Sequence, residues 1–101
     1  MGSPTNKDAW TLLTGHGRVL VEIARRPDAL VREISAAAGV TERTATAIIA
    51  DLEDAGYITR TRIGRRTRYT LHPDTPFRHQ GQEGHPVGPF LQLLTLSLIH
   101  I

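Results

Sequence analysis

Cysteine is absent from the 101-residue chain, which excludes disulfides, thiolate metal centres and cysteine nucleophiles together. Lysine is almost absent: 11 of the 12 basic residues are arginine, and with abundant alanine this points to a GC-rich genome. Long hydrophobic runs are missing too. The most apolar stretch, VGPFLQLLTLSLIHI from Val87 to Ile101, has 15 residues, short of the roughly 20 that a membrane-spanning helix needs, so no membrane partner is expected. The N-terminus has no secretory apolar region, and Asn6 stands where the myristoylation pattern needs Ser or Thr, so the cytoplasm is the expected location. Enzyme signatures are also lacking. Gly15-His16-Gly17 lacks the third glycine of a dinucleotide fingerprint and the strand that must precede it. No glycine-rich stretch ends in Lys-Ser or Lys-Thr, and no Ser/His/Asp set is placed by a nucleophile elbow. Neither catalysis nor a cofactor is expected.

Acid is missing where base is densest. Tyr57 to Leu71 holds Arg60, Arg62, Arg65, Arg66 and Arg68 with no Asp or Glu, while the remainder has seven basic residues against ten acidic. The net charge of +2 therefore conceals a +5 segment on a −3 body. This segment reads as a hairpin, with Gly64, Arg65 and Arg66 supplying the turn. Strand alternation sets Arg60 and Arg62 on one face, with Tyr57 and Thr59 on the other. On the return strand Arg66 and Arg68 share a face opposite Tyr69 and Leu71. Concentrated like charge at a turn tip is costly in isolation, and a phosphate backbone or a minor groove is its natural partner. The alternative is a solvated basic strand pair.

Ahead of the hairpin, REISAAAGVTERTATAIIADLEDAG reads as two helices around a tight turn. Ile34, Ala37 and Ala38 recur at helical spacing, and Gly39 follows where the chain leaves the helix at positive φ. Val40 then drops into the core, and Thr41 caps the second helix by accepting a hydrogen bond from its first turn. Ala45, Ile48, Ile49 and Leu52 at i, i+3, i+4 and i+7 give that helix one buried face. The opposite face carries Arg43, Thr46, Ala47 and Ala50, a slim surface suited to a groove about 12 Å wide.

Ile34, the small Ser35, Gly39, Val40, Ala45 and Ile48 stand where the helix-turn-helix pattern takes its apolar and glycine positions. With the hairpin behind them, they resemble the winged helix of MarR- or ArsR-like bacterial transcription regulators. The segment TERTATAIIADLEDAGYITRTRIGRRTRYTLHPD is similar to small regulators of that kind common in actinobacteria, and the resemblance runs roughly from Trp10 to Leu94. Ser35 replaces a usual Ala and Ala45 a larger aliphatic, which shrinks the contact between the two helices. The resemblance implies an α+β, mainly α fold: a three-helix core, a two- to three-stranded β wing and a C-terminal dimerisation helix. It implies a DNA-binding transcriptional regulator, most simply a repressor, that partners double-stranded DNA as a homodimer at the nucleoid. Thr41, Glu42, Arg43, Thr44, Thr46 and Ala47 would face the major groove, and Arg60, Arg62, Arg65, Arg66 and Arg68 would grip phosphates or enter the minor groove. A reading from another class is a winged helix used as a protein-interaction module for an acidic partner.

The chain is accordingly expected to divide into an arm over 1–13, the DNA-binding domain over 14–75, a linker over 76–86 and a C-terminal helix over 87–101. In the arm, Trp10, Leu12 and Leu13 form an apolar cluster, with Trp10 as a core anchor. Thr14 caps a helix that buries Val19, Leu20, Ile23 and Ala24, runs through Arg26 and stops at Pro27. Leu30 and Val31 are expected to form a short strand beside the wing. The linker is rich in Pro, Gly and His without periodicity. Its His79, Glu83 and His85, with His72 before it, invite a metal reading, but no pair stands at i, i+4 on a helix and no cysteine joins them, so no metal site is expected. Phe90, Leu91, Leu94 and Leu98 would form the stripe of a helix that packs on a partner subunit. Beyond it, LSLIHI at positions 96–101 matches the translation of a transposon-end sequencing adapter, which predicts that the natural gene departs from this sequence after about Thr95.

Overall fold

The computed structural model describes residues 10–99, and side chains as far as residue 95. The expected arm over 1–9, the Leu98 side chain and the last two residues lie outside the described residues.

Helix α1 (Gly15–Arg25) opens at Thr14, whose hydroxyl accepts the Gly17 N–H at 3.2 Å. It buries Val19, Leu20, Val21 and Ile23, while Ala24 is half-buried. Helix α2 (Val31–Ala38) follows after Pro27, and its Glu33 carboxylate reaches back to the Leu30 N–H at 2.8 Å. Leu30 and Val31 thus begin a helix, and the strand expected there does not form. The reason is that Glu33 stands three residues after Leu30, the spacing at which a carboxylate satisfies the free N–H at a helix start. What survives of the expected pairing is one backbone bond, from Tyr69 N–H to the Pro27 carbonyl at 2.8 Å. Ile34, Ser35 and Ala38 are the buried residues of α2, whereas Ala37 is exposed. Ser35 keeps its hydroxyl satisfied inside the core by donating to the Arg32 carbonyl at 3.0 Å.

Gly39 ends α2 at φ 74°, Val40 packs half-buried on the core, and Thr41 accepts the Thr44 N–H at 3.0 Å to start α3 (Glu42–Asp54). Ala45, Ile48, Ile49 and Leu52 all point into the core, as their spacing requires. The end of α3 is a Schellman turn: Gly56 N–H donates to Glu53 O and Tyr57 N–H to Leu52 O. Its pivot is Gly56 at φ 87°, a backbone region that a residue with a Cβ enters only at a cost. The turn swings the chain directly into strand β1 (Ile58–Ile63), which pairs antiparallel with β2 (Arg66–Leu71). Only two residues, Gly64 and Arg65, lie between the last paired residues Ile63 and Arg66, and positive φ falls on Gly64 alone. A first loop residue at positive φ matches the right-handed twist of the strands. The sheet among the described residues has two strands.

Helix α4 (Gly88–Ile99) closes the order. Helix α1 is the hub, packing on α2, α3 and α4, while α3 also meets β1. The largest fully buried side chains, Val19, Ile23, Ile34, Ile49 and Ile58, come from four of these elements, and each contributes roughly 1.5–3 kcal/mol through burial. Trp10 and Leu12 do not join them. They are 74% and 91% exposed, so the expected anchoring of the core by Trp10 is corrected: Leu13 alone of that cluster packs on it. The preceding segment is held instead by a charge, since Arg18 donates to the carbonyls of Leu13 at 2.9 Å and Ala38 at 2.8 Å.

Residues 76–86 form a loop closed at its neck. Phe77 N–H donates to His85 O at 3.0 Å and Val87 N–H to Thr75 O at 2.9 Å, flanking the facing pair Pro76 and Pro86, which have no N–H to offer. Tyr57 donates its hydroxyl to Pro76 O at 2.8 Å, and Phe77 meets Phe90 of α4 edge to face at 5.6 Å. No helix among the described residues is long and apolar enough to cross a membrane.

Candidate nucleic-acid interface

Helix α3 carries two different surfaces along its length. Its first half exposes Glu42, Arg43, Thr44, Thr46 and Ala47, and the cap Thr41 is exposed beside them. Its last turns hold Asp51, Glu53 and Asp54. Acid is thus densest at that end, whereas residues 41–47 carry one acid, Glu42, beside Arg43. Asp51 is further engaged by His16 of α1 at 2.8 Å, and Glu53 by Arg60 of β1.

The hydroxyls on this surface have fixed polarity. Thr46 donates to Glu42 O at 2.9 Å, which leaves its oxygen outward only as an acceptor. An acceptor can take the amino groups of cytosine or adenine but finds no proton on a phosphate. Thr41 accepts from Thr44 N–H and donates to the Thr44 hydroxyl at 3.0 Å, so Thr44 keeps its own proton for an outside acceptor. Arg43 is exposed, and its guanidinium makes no hydrogen bond or ion pair to the described residues.

The same test sorts the hairpin arginines, which differ although they look alike in sequence. Arg62, Arg65 and Arg68 are exposed without a side-chain partner among the described residues. Arg66 donates to the Asp28 carbonyl at 3.2 Å and so leans on the corner between α1 and α2. Arg60 is held by Glu53: Nε donates to Oε1 at 2.9 Å, Nη2 lies 2.9 Å from the same oxygen, and the Arg60 backbone N–H donates to Oε2 at 3.0 Å. Those bonds, the backbone one first, hold the Glu53 carboxyl below its usual range.

Register explains the difference. Ile58, Arg60 and Arg62 face the same side as their partners Leu71, Tyr69 and Thr67. Ile58 and Tyr69 on that side are buried, so it is the body-facing side near the base of the hairpin. Arg66 and Arg68 belong to the other side with Thr59 and Thr61, as the alternation of β2 predicts. Tyr57 precedes the strand and is buried, so it does not share an exposed face with Thr59. The useful cations therefore lie toward the tip, on both faces.

Arg32 went unnoticed in the sequence as a site residue. It is exposed on α2, and its guanidinium makes no hydrogen bond or ion pair to the described residues; helix α2 takes the place of the helix that crosses the backbone in helix-turn-helix complexes. Its lack of an acid at i+4 was the available signal. The histidines of the loop make other contacts: His72 Nε2 lies 2.6 Å from Thr59 Oγ1, and His79 Nδ1 accepts Gly81 N–H at 2.9 Å. Among the described residues no three His, Cys, Asp or Glu side chains are grouped to hold a metal. A cleft of about 570 Å³ between α1, α3, the 76–86 loop and α4 is lined by Leu13, Leu20, Leu52, Tyr57, Phe77 and Phe90, and it contains none of the interface residues.

No curated protein matches the chain. Residues 11–68, more than half of its length and the whole of α1 through the hairpin tip, match the model of the MarR family.

Proposed function

The chain belongs to the MarR family, whose members are DNA-binding transcription regulators, and from that premise we propose that it is a sequence-specific regulator, most simply a homodimeric repressor. Each subunit lays the first half of α3 in a major groove. Arg43 pairs bidentately with a guanine, Thr46 accepts from a cytosine or adenine amino group, Thr44 donates to a base or phosphate, and Glu42 accepts from cytosine. Arg62, Arg65 and Arg68 hold phosphates or enter the minor groove, with Arg66 beside them, so the hairpin sets affinity while α3 sets sequence.

The observation that carries this reading is the separation of engaged from unengaged polar groups. Arg43, Arg62, Arg65 and Arg68 are exposed cations without partners among the described residues, and all lie on the two elements that a winged helix presents to DNA. The stripe expected to meet a partner is corrected in part: Leu91 is buried in the chain's own core, with Phe90 and Leu94 packed on it, and the apolar side chain that α4 leaves for dimerisation is Leu93, 68% exposed. A cytoplasmic, nucleoid-associated location follows from the activity.

Selection from random duplex oligonucleotides tests the proposal. A dimeric reader enriches a short palindrome whose half-sites lie about one helical turn, roughly 10 base pairs, apart. Enrichment of no shared sequence, with retention of an acidic polypeptide instead, would favour the protein-interaction reading.

A further inference from the structure

The hairpin is held at one rung, and the two sides of the hold come from different parts of the body. Arg60 and Tyr69 face each other across the sheet. Their N–H groups do not join one another: Arg60 N–H goes to the Glu53 carboxylate at 3.0 Å and Tyr69 N–H to Pro27 O at 2.8 Å. In an antiparallel ladder such an outward-facing pair would otherwise present its N–H groups to water. Here α3 takes one edge and the start of the α1–α2 corner takes the other. Beyond this rung, residues 61–68 project with Arg66 to Asp28 O as the hydrogen bond that steadies them.

Glu53 is the only residue of α3 whose side chain hydrogen-bonds to the hairpin among the described residues. It sits at the position from which the Schellman turn launches β1, so its carboxylate lies close to the strand. Two hydrogen bonds from one arginine, one of them from backbone, and an ion-pair contact from Nη2 fix both the height and the roll of β1 relative to α3. A side chain placed there for phosphate would leave Glu53 facing the same phosphate, which is repulsive.

We propose that the Glu53–Arg60 pair is a clasp that sets the angle at which the arginine hairpin leaves the recognition helix, and that Arg60 is a positioning residue, not a DNA contact. This rests on the DNA-binding reading above. The clasp makes the spacing between the groove-reading helix and the phosphate-gripping tip a built-in quantity, so that Arg43 and Arg65 engage one duplex together.

The test compares Arg60→Ala, Glu53→Gln and Arg65→Ala in the full chain, on the selected duplex across a salt series. A clasp predicts that Arg60→Ala and Glu53→Gln each weaken binding, by about fivefold, with the salt slope unchanged. Arg65→Ala should lower that slope by about one. If Arg60 instead held a phosphate, Arg60→Ala would lower the slope by about one, and Glu53→Gln would strengthen binding by freeing the cation; either result overturns the clasp. Residual dipolar couplings of amides 61–68 against α3 in the free protein provide a readout independent of DNA. A reoriented hairpin in Glu53→Gln supports the clasp even if Arg65→Ala leaves the slope intact and the DNA reading fails. An unmoved hairpin overturns the clasp, whatever the DNA result.

Discussion

Replacing Arg62, Arg65 and Arg68 together by Ala should change how salt governs binding. The three guanidinium groups are exposed and make no bond to the described residues, so each is available to displace counterions from one phosphate. Each such contact contributes about −0.9 to the slope of log K against log [salt], so the triple variant should lose about 2.7 from its magnitude. Between about 50 and 200 mM salt, a single contact amounts to roughly a 3.5-fold loss of affinity. Over that range the unaltered chain should therefore weaken by about 40-fold more than the variant. Fluorescence anisotropy on a labelled duplex reads both slopes. Thermal unfolding supplies the control, because surface changes of this kind shift stability by only about 0.5 kcal/mol either way. Parallel slopes would show that the hairpin is a solvated strand pair, and a lower slope accompanied by a collapse in stability would show that these arginines hold the fold.

Glu33 and Glu53 each contribute to the acid sensitivity of the fold. Both carboxyls are held below their usual range, Glu33 first by the Leu30 N–H and Glu53 first by the Arg60 N–H and then by its guanidinium. A depressed folded value means stabilisation that is complete above the unfolded pKa, about 4.3, and lost as pH falls through the folded values. Urea midpoints should be flat from neutrality to about pH 5 and then fall, and the double change Glu33→Gln, Glu53→Gln should shallow that fall; a steeper one would contradict the assignment. Gly88→Ala tests the seat of α4. An added Cβ would stand 2.7 Å from Pro73 Cβ and 3.0 Å from Pro73 O, while the Gly88 N–H donates to that same carbonyl at 2.8 Å. Overpacking there should cost about 1–3 kcal/mol by thermal unfolding, and an unchanged melting temperature would mean that α4 does not dock on Pro73.

The recognition half of the fold was legible because its causes are local. Thr14, Gly39 and Thr41 act within four residues of themselves, and Ala45, Ile48, Ile49 and Leu52 obey the helical repeat. Of the two families the resemblance offered, the match falls on MarR. What escaped depends on distant partners. Arg18 reaches Ala38, twenty residues on, and Arg66 reaches Asp28, across 38. Trp10 looked like an anchor because aromatic bulk favours burial, but none of the described elements covers it. Arg60 was read as a phosphate contact like the other hairpin arginines, because strand parity with Ile58, which Arg62 shares, does not reveal that Glu53 lies beside it. The 76–86 loop showed no periodicity because its order rests on backbone bonds across a pair of prolines, which leave no side-chain pattern.

The proposed role of the first half of α3 is to read sequence. Arg43→Ala tests it most directly, with affinities measured on the selected palindrome and on random-sequence duplex. The expected result is a loss of about 1–3 kcal/mol on the palindrome with little change on random DNA. Equal losses on both would make Arg43 one more phosphate contact and leave the specificity of the chain without its reader.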